Sequence, residues 1–114
     1  MFTSSASLGA ATTAYSTSNE VSGTGYSAGG TALTNTGVGL TSTTAFTDFS
    51  DVSFTSASFT ANGCLIYNTT TAGGSGTTNA VCVIAFGGDK TVSSGTFTIQ
   101  FPTNDSSSAI IRLT

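Results

Sequence analysis

Histidine and tryptophan are absent from the 114 residues, and proline occurs once, at Pro102. Without histidine, nucleophile–His pairs and imidazole general bases have no residue to draw on. Charge is scarce too. Only 6% of residues are charged: Lys90 and Arg112 are the bases, Glu20, Asp48, Asp51, Asp89 and Asp105 the acids, and the net charge is −3. Two bases cannot neutralise a phosphate backbone, so nucleic acid is a poor partner, and a polybasic membrane patch fails on the same count. No apolar run reaches the length of a membrane span. The opening Met-Phe-Thr-Ser-Ser has no basic residue and no signal-peptide core, which predicts a soluble product made in the cytoplasm.

Hydroxyls fill the space that charges leave. Thr and Ser together supply 42 of the 114 residues, 24 and 18 respectively. Eight Phe, three Tyr and a second half rich in Val, Leu and Ile argue for an ordered chain, because disordered segments lack such residues. Thr favours strands, where its branched side chain fits a pleated surface. A solvent face of hydroxyls rather than charges suits a protein covered by neighbours. The length predicts a single domain over residues 1–114, long enough for one packed core.

Helix signals are nearly missing, since 14 Gly interrupt every window and no i, i+3, i+4, i+7 apolar pattern survives. Residues 1–31 read as a Gly/Ser/Thr-rich arm with a short strand near its start, and residues 32–40 as a strand with Val38 and Leu40 on one face. In 44–61, Val52 and Phe54 share one parity and Ala57, Phe59 and Ala61 the other. That switch predicts a bulge or tight bend near Thr55–Ser56. Asn62-Gly63 and Gly87–Lys90 read as turns. Residues 64–68 and 80–86 read as strands buried on both faces. Phe97, Ile99 and Phe101 alternate inward until Pro102 stops the strand, and 109–113 makes a last one with Ile111 and Leu113 on a common face. The fold expected is all-β, an antiparallel β-sandwich or jelly roll of about 7–8 short strands. Its expected core is Phe54, Phe59, Ile66, Ile84, Phe97, Ile99 and Phe101, with truncation of Phe97 or Phe101 to Ala costing roughly 3–5 kcal/mol.

Catalytic residues are hard to find. Asp48 and Asp51 could pair as acid and base or offer oxygens to calcium. No run of alternating carboxylates supplies the six or more ligands that calcium needs, so both read as solvent-facing residues beside a strand. Cys64 and Cys82 are equidistant from Gly73 and would face each other in a hairpin centred there. A disulfide is then imaginable, but two buried reduced thiols are expected for a cytosolic product. The glycosylation-like triplets at Asn68 and Asn104, the glycines of 23–30 without a following Lys, and the irregular Thr row 41–44 carry no chemistry of their own. No enzyme activity, cofactor or metal site is expected.

Several blocks, in order, are similar to small structural proteins of tailed bacteriophages. They are Gly23–Gly30 (Gly-Thr-Gly-Tyr-Ser-Ala-Gly-Gly), Asp48–Phe54 (Asp-Phe-Ser-Asp-Val-Ser-Phe), Leu65–Asn68, Ala85–Lys90, Gly95–Pro102 and Ala109–Arg112. The resemblance implies a non-enzymatic virion protein in many copies, foremost a capsid decoration or cement protein on the outer coat surface. The alternative is a tail, neck or fibre component with host-binding loops; a bacterial surface or pilin-like subunit is a third, disfavoured by the missing export signal. Similar proteins commonly carry a short helix and a strand before the segment matching Thr3–Ala10; the resemblance implies either a short natural version or a missing N-terminal piece, and in the second case a neighbouring subunit is expected to supply the strand. The partners implied are the major capsid protein or other virion proteins, and a homo-oligomer with a trimer favoured. Partner contact is expected at Tyr15, Val21, Tyr26, Gly29 and Gly30, and an exposed loop at Gly73, Gly74, Ser75 and Gly76.

Overall fold

The computed structural model describes residues 1–70 and 78–114; the expected loop at Gly73, Gly74, Ser75 and Gly76 lies outside the described residues. Among the described residues the chain is all-β, with no helix. Five strands follow in order: β1 (Asn35–Thr41), β2 (Thr44–Phe49), β3 (Val52–Tyr67), β4 (Ala80–Ile99) and β5 (Ile111–Leu113). They form a three-stranded sheet in the order β1-β2-β5 and a two-stranded sheet of β3 with β4. The chain divides into two compact units, residues 1–30 with 56–95, and residues 31–55 with 96–114.

Among the described residues five strands replace the seven or eight expected, because two of them are long, at 16 and 20 residues. Asn62-Gly63, expected as a turn, lies inside β3. Gly63 is there for close approach: a Cβ at this position would lie 2.7 Å from the Ile84 carbonyl oxygen, while its own carbonyl accepts from Phe2 N–H at 2.9 Å. Backbone crowds it on β4, and backbone cannot swing aside as a side chain can. We expect Gly63→Ala to cost roughly 1–3 kcal/mol through strain, read as a lower denaturant midpoint with an unchanged slope.

The second supposed turn, Gly87–Lys90, is an irregularity within β4. Asn62 Nδ2 reaches Asp89 Oδ1 at 2.8 Å, whereas the next residue, Gly63, faces Ile84. One step along β3 thus spans five along β4, and the surplus is taken up where Gly87 and Gly88 adopt φ of +72° and +136°. Glycine reaches those angles without the steric penalty of a Cβ.

The bulge expected near Thr55–Ser56 is present. Ser56 has φ +49°, and burial moves from Phe54 to Ala57, Phe59 and Ala61 across it. On β4, Ser94 has φ +50°, and its N–H donates to Ser58 Oγ at 2.8 Å. With a left-handed serine on each strand the register is preserved. Seven steps from Ser53 to Thr60 match seven from Thr98 to Thr91, the two ends being joined by hydroxyl pairs at 2.8 Å.

In the first unit the buried side chains are Met1, Phe2, Val21, Ala57, Phe59, Ala61, Cys64, Leu65 and Ile66. Burial of three successive residues, Cys64 to Ile66, means that both faces of β3 are covered there, as expected. Residues 80–86 of β4 depart from expectation: Val81 and Ala85 are exposed and the rest half-buried. Ile84, Phe97, Ile99 and Phe101, expected in the core, are also half-buried. Residues 1–31 do not hang free. Phe2 bridges Glu20 and Gly63, Ala14 bridges Asn79, and Thr24 bridges Ser58.

Both thiols are free; Cys64 is buried, as expected, whereas Cys82 is only half-buried, and the two do not face each other. Asn68 N–H donates to Asn79 O at 2.8 Å, and Gly63 lies against Ile84. Stepping along that register sets Cys64 opposite Val83 and Cys82 opposite Leu65. Alternation then sends the two sulfurs to opposite faces.

In the second unit the buried residues are Asp48, Phe54 and Ala109. Asp48, expected to face solvent, is fully buried. Its Oδ1 accepts from Phe49 N–H at 2.8 Å and its Oδ2 from Ile110 N–H at 3.0 Å. The carboxylate is tolerated inside because it satisfies backbone donors that would otherwise be unpaired. Asp51 does a related task at the surface, accepting from Phe101 N–H at 2.8 Å.

Candidate functional site: a tyrosine cluster and an uncovered sheet face

All three tyrosines gather in the first unit around the chain's one glutamate. Tyr15 donates to Glu20 Oε2 and Tyr26 to Glu20 Oε1, each at 2.7 Å. Gly29 N–H adds a third donor to Oε1 at 2.8 Å. Tyr67, on β3, donates to Gly29 O at 2.9 Å. The Tyr15 and Tyr67 rings are stacked, with centroids 4.6 Å apart and planes within 11°, and Tyr26 meets Phe59 edge-on. Gly29 and Gly30 have φ of +89° and +79°, which turns the chain so that Gly29 offers N–H to the carboxylate and C=O to Tyr67. The Met1 amine donates to Tyr26 Oη at 2.5 Å.

The electrostatics follow from that geometry. Burial works to raise the Glu20 pKa, but the hydrogen bonds from Tyr26, Tyr15 and Gly29 and the nearby amine outweigh it, and the carboxyl titrates below its usual range. The bond to Glu20, with some burial, pushes Tyr15 up to about 12. Burial first, then the Glu20 bond, pushes Tyr26 up as well. Burial lowers the Met1 amine, against the opposing pull of Glu20. A carboxyl held below its unfolded value contributes stability that is present above about pH 4.5 and lost as pH falls through the lower folded value. We therefore expect Glu20→Gln to be less stable than wild type at neutral pH, with the gap closing in acid. Urea midpoints across that acid range check it, and a gap independent of pH contradicts it.

Of the expected contact residues, Tyr15, Tyr26 and Gly29 are thus brought together, with Gly30 beside them. Val21 is buried, so its side chain is core in the first unit. The hydroxyls of the cluster are consumed by internal bonds, and what they do chemically is pin residues 15–30 to β3. Glu20 was not singled out in the sequence. The available signal was a lone carboxylate in a charge-free stretch with tyrosines at positions 15 and 26.

The second unit carries a different feature. In the three-stranded sheet Leu40 pairs with Ala45 and Ala45 with Leu113; Val38 pairs with Thr47 and Thr47 with Ile111. Directly opposed residues share a face, so these six side chains make two parallel rows on one side. Val38 is 81% exposed, and Leu40 and Leu113 are 71% exposed. The other side is occupied differently: Phe46 lies over Gly39, where a Cβ would collide with the ring, and Asp48 is buried. Sequence reading placed Val38 with Leu40 and Ile111 with Leu113, yet could not see that all four lie on one open face.

Among the described residues no group of three or more His, Cys, Asp or Glu side chains gathers to hold a metal ion. Compared with protein-family models, with curated proteins and with solved structures, the chain matches none.

Proposed function

We propose that this chain is a non-enzymatic structural protein of a tailed-phage virion, acting as a decoration or cement protein on the outer surface of the coat lattice. The observation that carries the reading is the uncovered apolar face of the β1-β2-β5 sheet. Three large aliphatic side chains exposed on one face form the kind of contiguous patch that marks an interaction surface in a soluble protein. The rest of the composition agrees, since a charge-poor, hydroxyl-rich chain loses little when neighbours cover it. The resemblance of the Gly23–Gly30, Asp48–Phe54 and Gly95–Pro102 blocks to phage structural proteins directs the reading to a virion. Its partners would be the major capsid protein and copies of itself. With this reading goes a sandwich or jelly-roll arrangement, supported by two antiparallel sheets and no helix among the described residues.

Binding to assembled coat stabilises the particle by mass action. The test is a mass-spectrometric copy count on purified particles, located by electron microscopy. Hundreds of copies spread over the shell are expected. A few copies confined to the tail would replace this reading with that of a tail, neck or fibre component, and absence from particles would end both.

A further inference from the structure

We infer that the apolar face of the β1-β2-β5 sheet is covered by the same face of a second copy of this chain, in a two-fold dimer. This rests on the assembly reading above and assigns that face to pairing between copies, so that the coat would be met by other surfaces of the pair. The relief of the face supports it. Each row runs large, small, large across the sheet: Leu40, Ala45, Leu113 and then Val38, Thr47, Ile111. The edge strands therefore stand up as two aliphatic ridges, and the central strand forms a shallow groove between them. Exposure is high at three of the four ridge residues, Val38, Leu40 and Leu113, and intermediate at the fourth, Ile111, as it is at Ala45 and Thr47.

A ridge from one copy fits the groove of another, and a two-fold axis makes both fits at once. Such an isologous contact needs only one kind of surface. The groove floor presents no unpaired polar atom from Thr47, whose Oγ1 donates to Gly37 O at 2.9 Å and accepts from Asn35 Nδ2 at 2.7 Å. None of the six side chains is charged, so burial incurs no ionic desolvation. Area is sufficient for a weak dimer. The exposed ridges offer on the order of 400 Å² per copy, so pairing buries roughly 800 Å² from them and approaches about 1,200 Å², the low end of specific interfaces, once the groove and rims join.

The test is light scattering with size exclusion on the reduced full chain, from about 10 μM to about 1 mM, the range of weak affinities. A monomer–dimer equilibrium is expected. The telling variant is Ala45→Leu, which adds apolar area but fills the groove. It should weaken dimerisation by roughly tenfold or more, as should Leu40→Thr. Val81→Thr, an exposed apolar position on β4, should leave it unchanged. Far-UV circular dichroism and melting curves establish that each variant is folded. A monomer throughout, a trimer, or a dimer strengthened by Ala45→Leu would overturn the proposal. A chain that stays monomeric yet is found in hundreds on the shell overturns only the pairing. A dimer absent from particles overturns only the virion reading.

Discussion

Asp48→Ala should destabilise the second unit by roughly 3–5 kcal/mol, although the sequence reads this residue as a surface carboxylate. The side chain is fully buried and takes N–H donors from Phe49 and from Ile110, 62 residues away. Alanine would leave both donors without their partner, at a cost of about 1–3 kcal/mol each and more where the lost acceptor was charged. Domains of this size are stable by only about 5–15 kcal/mol, so the melting temperature should fall by on the order of 10–20 °C. Asp48→Asn should recover less than half of the loss, because one of its two terminal atoms is itself a donor and would oppose an N–H. Thermal melts of the three proteins at one pH decide it. A loss below about 1 kcal/mol for Asp48→Ala would show that solvent or another acceptor replaces the carboxylate readily.

Phe59→Ala should be the other severe change, at roughly 3–5 kcal/mol. Phe59 is 6% exposed, and its ring lies 5.8 Å from that of Tyr26 at an interplanar angle of 65°. Truncation would open a cavity in the first unit and remove the edge contact that helps to hold Tyr26 against Glu20. Phe101→Ala, by contrast, should cost only about 1–2 kcal/mol, since a half-buried ring forfeits part of its transfer energy. It would lose the tilted contact with Phe49 at 5.7 Å. Chemical denaturation of the two variants side by side tests the order. Equal losses, as the strand pattern alone suggested, would mean that Phe101 is covered in solution.

Local alternation carried much of the fold. The all-β class followed from the lack of helical period and the abundance of Thr. The bulge at Ser56 followed from a parity switch between Phe54 and Ala57, and the structure shows the left-handed serine there. Val38 with Leu40, and Ile111 with Leu113, were paired on common faces because alternation along a strand is a local property. Glycine misled the same reading. Asn62-Gly63 and Gly87-Gly88 look like hairpin turns, yet Gly63 serves close approach to Ile84 and Gly87-Gly88 absorb surplus residues within β4. A glycine shows that backbone freedom or space is needed, not which of these uses is made of it.

The sequence by itself determined the absence of imidazole chemistry, the poverty of charge, the strand-forming composition and the faces along each strand. Tertiary structure alone decided which faces are covered. Burial of Asp48 depends on Ile110 arriving from 62 residues away. The convergence of Tyr15, Tyr26 and Tyr67 on one carboxylate and its glycine depends on Gly29 turning back to Glu20. The open apolar face depends on β2 pairing with β1 on one edge and β5 on the other. Alternation is written residue by residue. The neighbour that covers a side chain comes from a distant part of the chain, and the pairing that brings it there is a sum of many weak contacts that no single stretch of sequence displays.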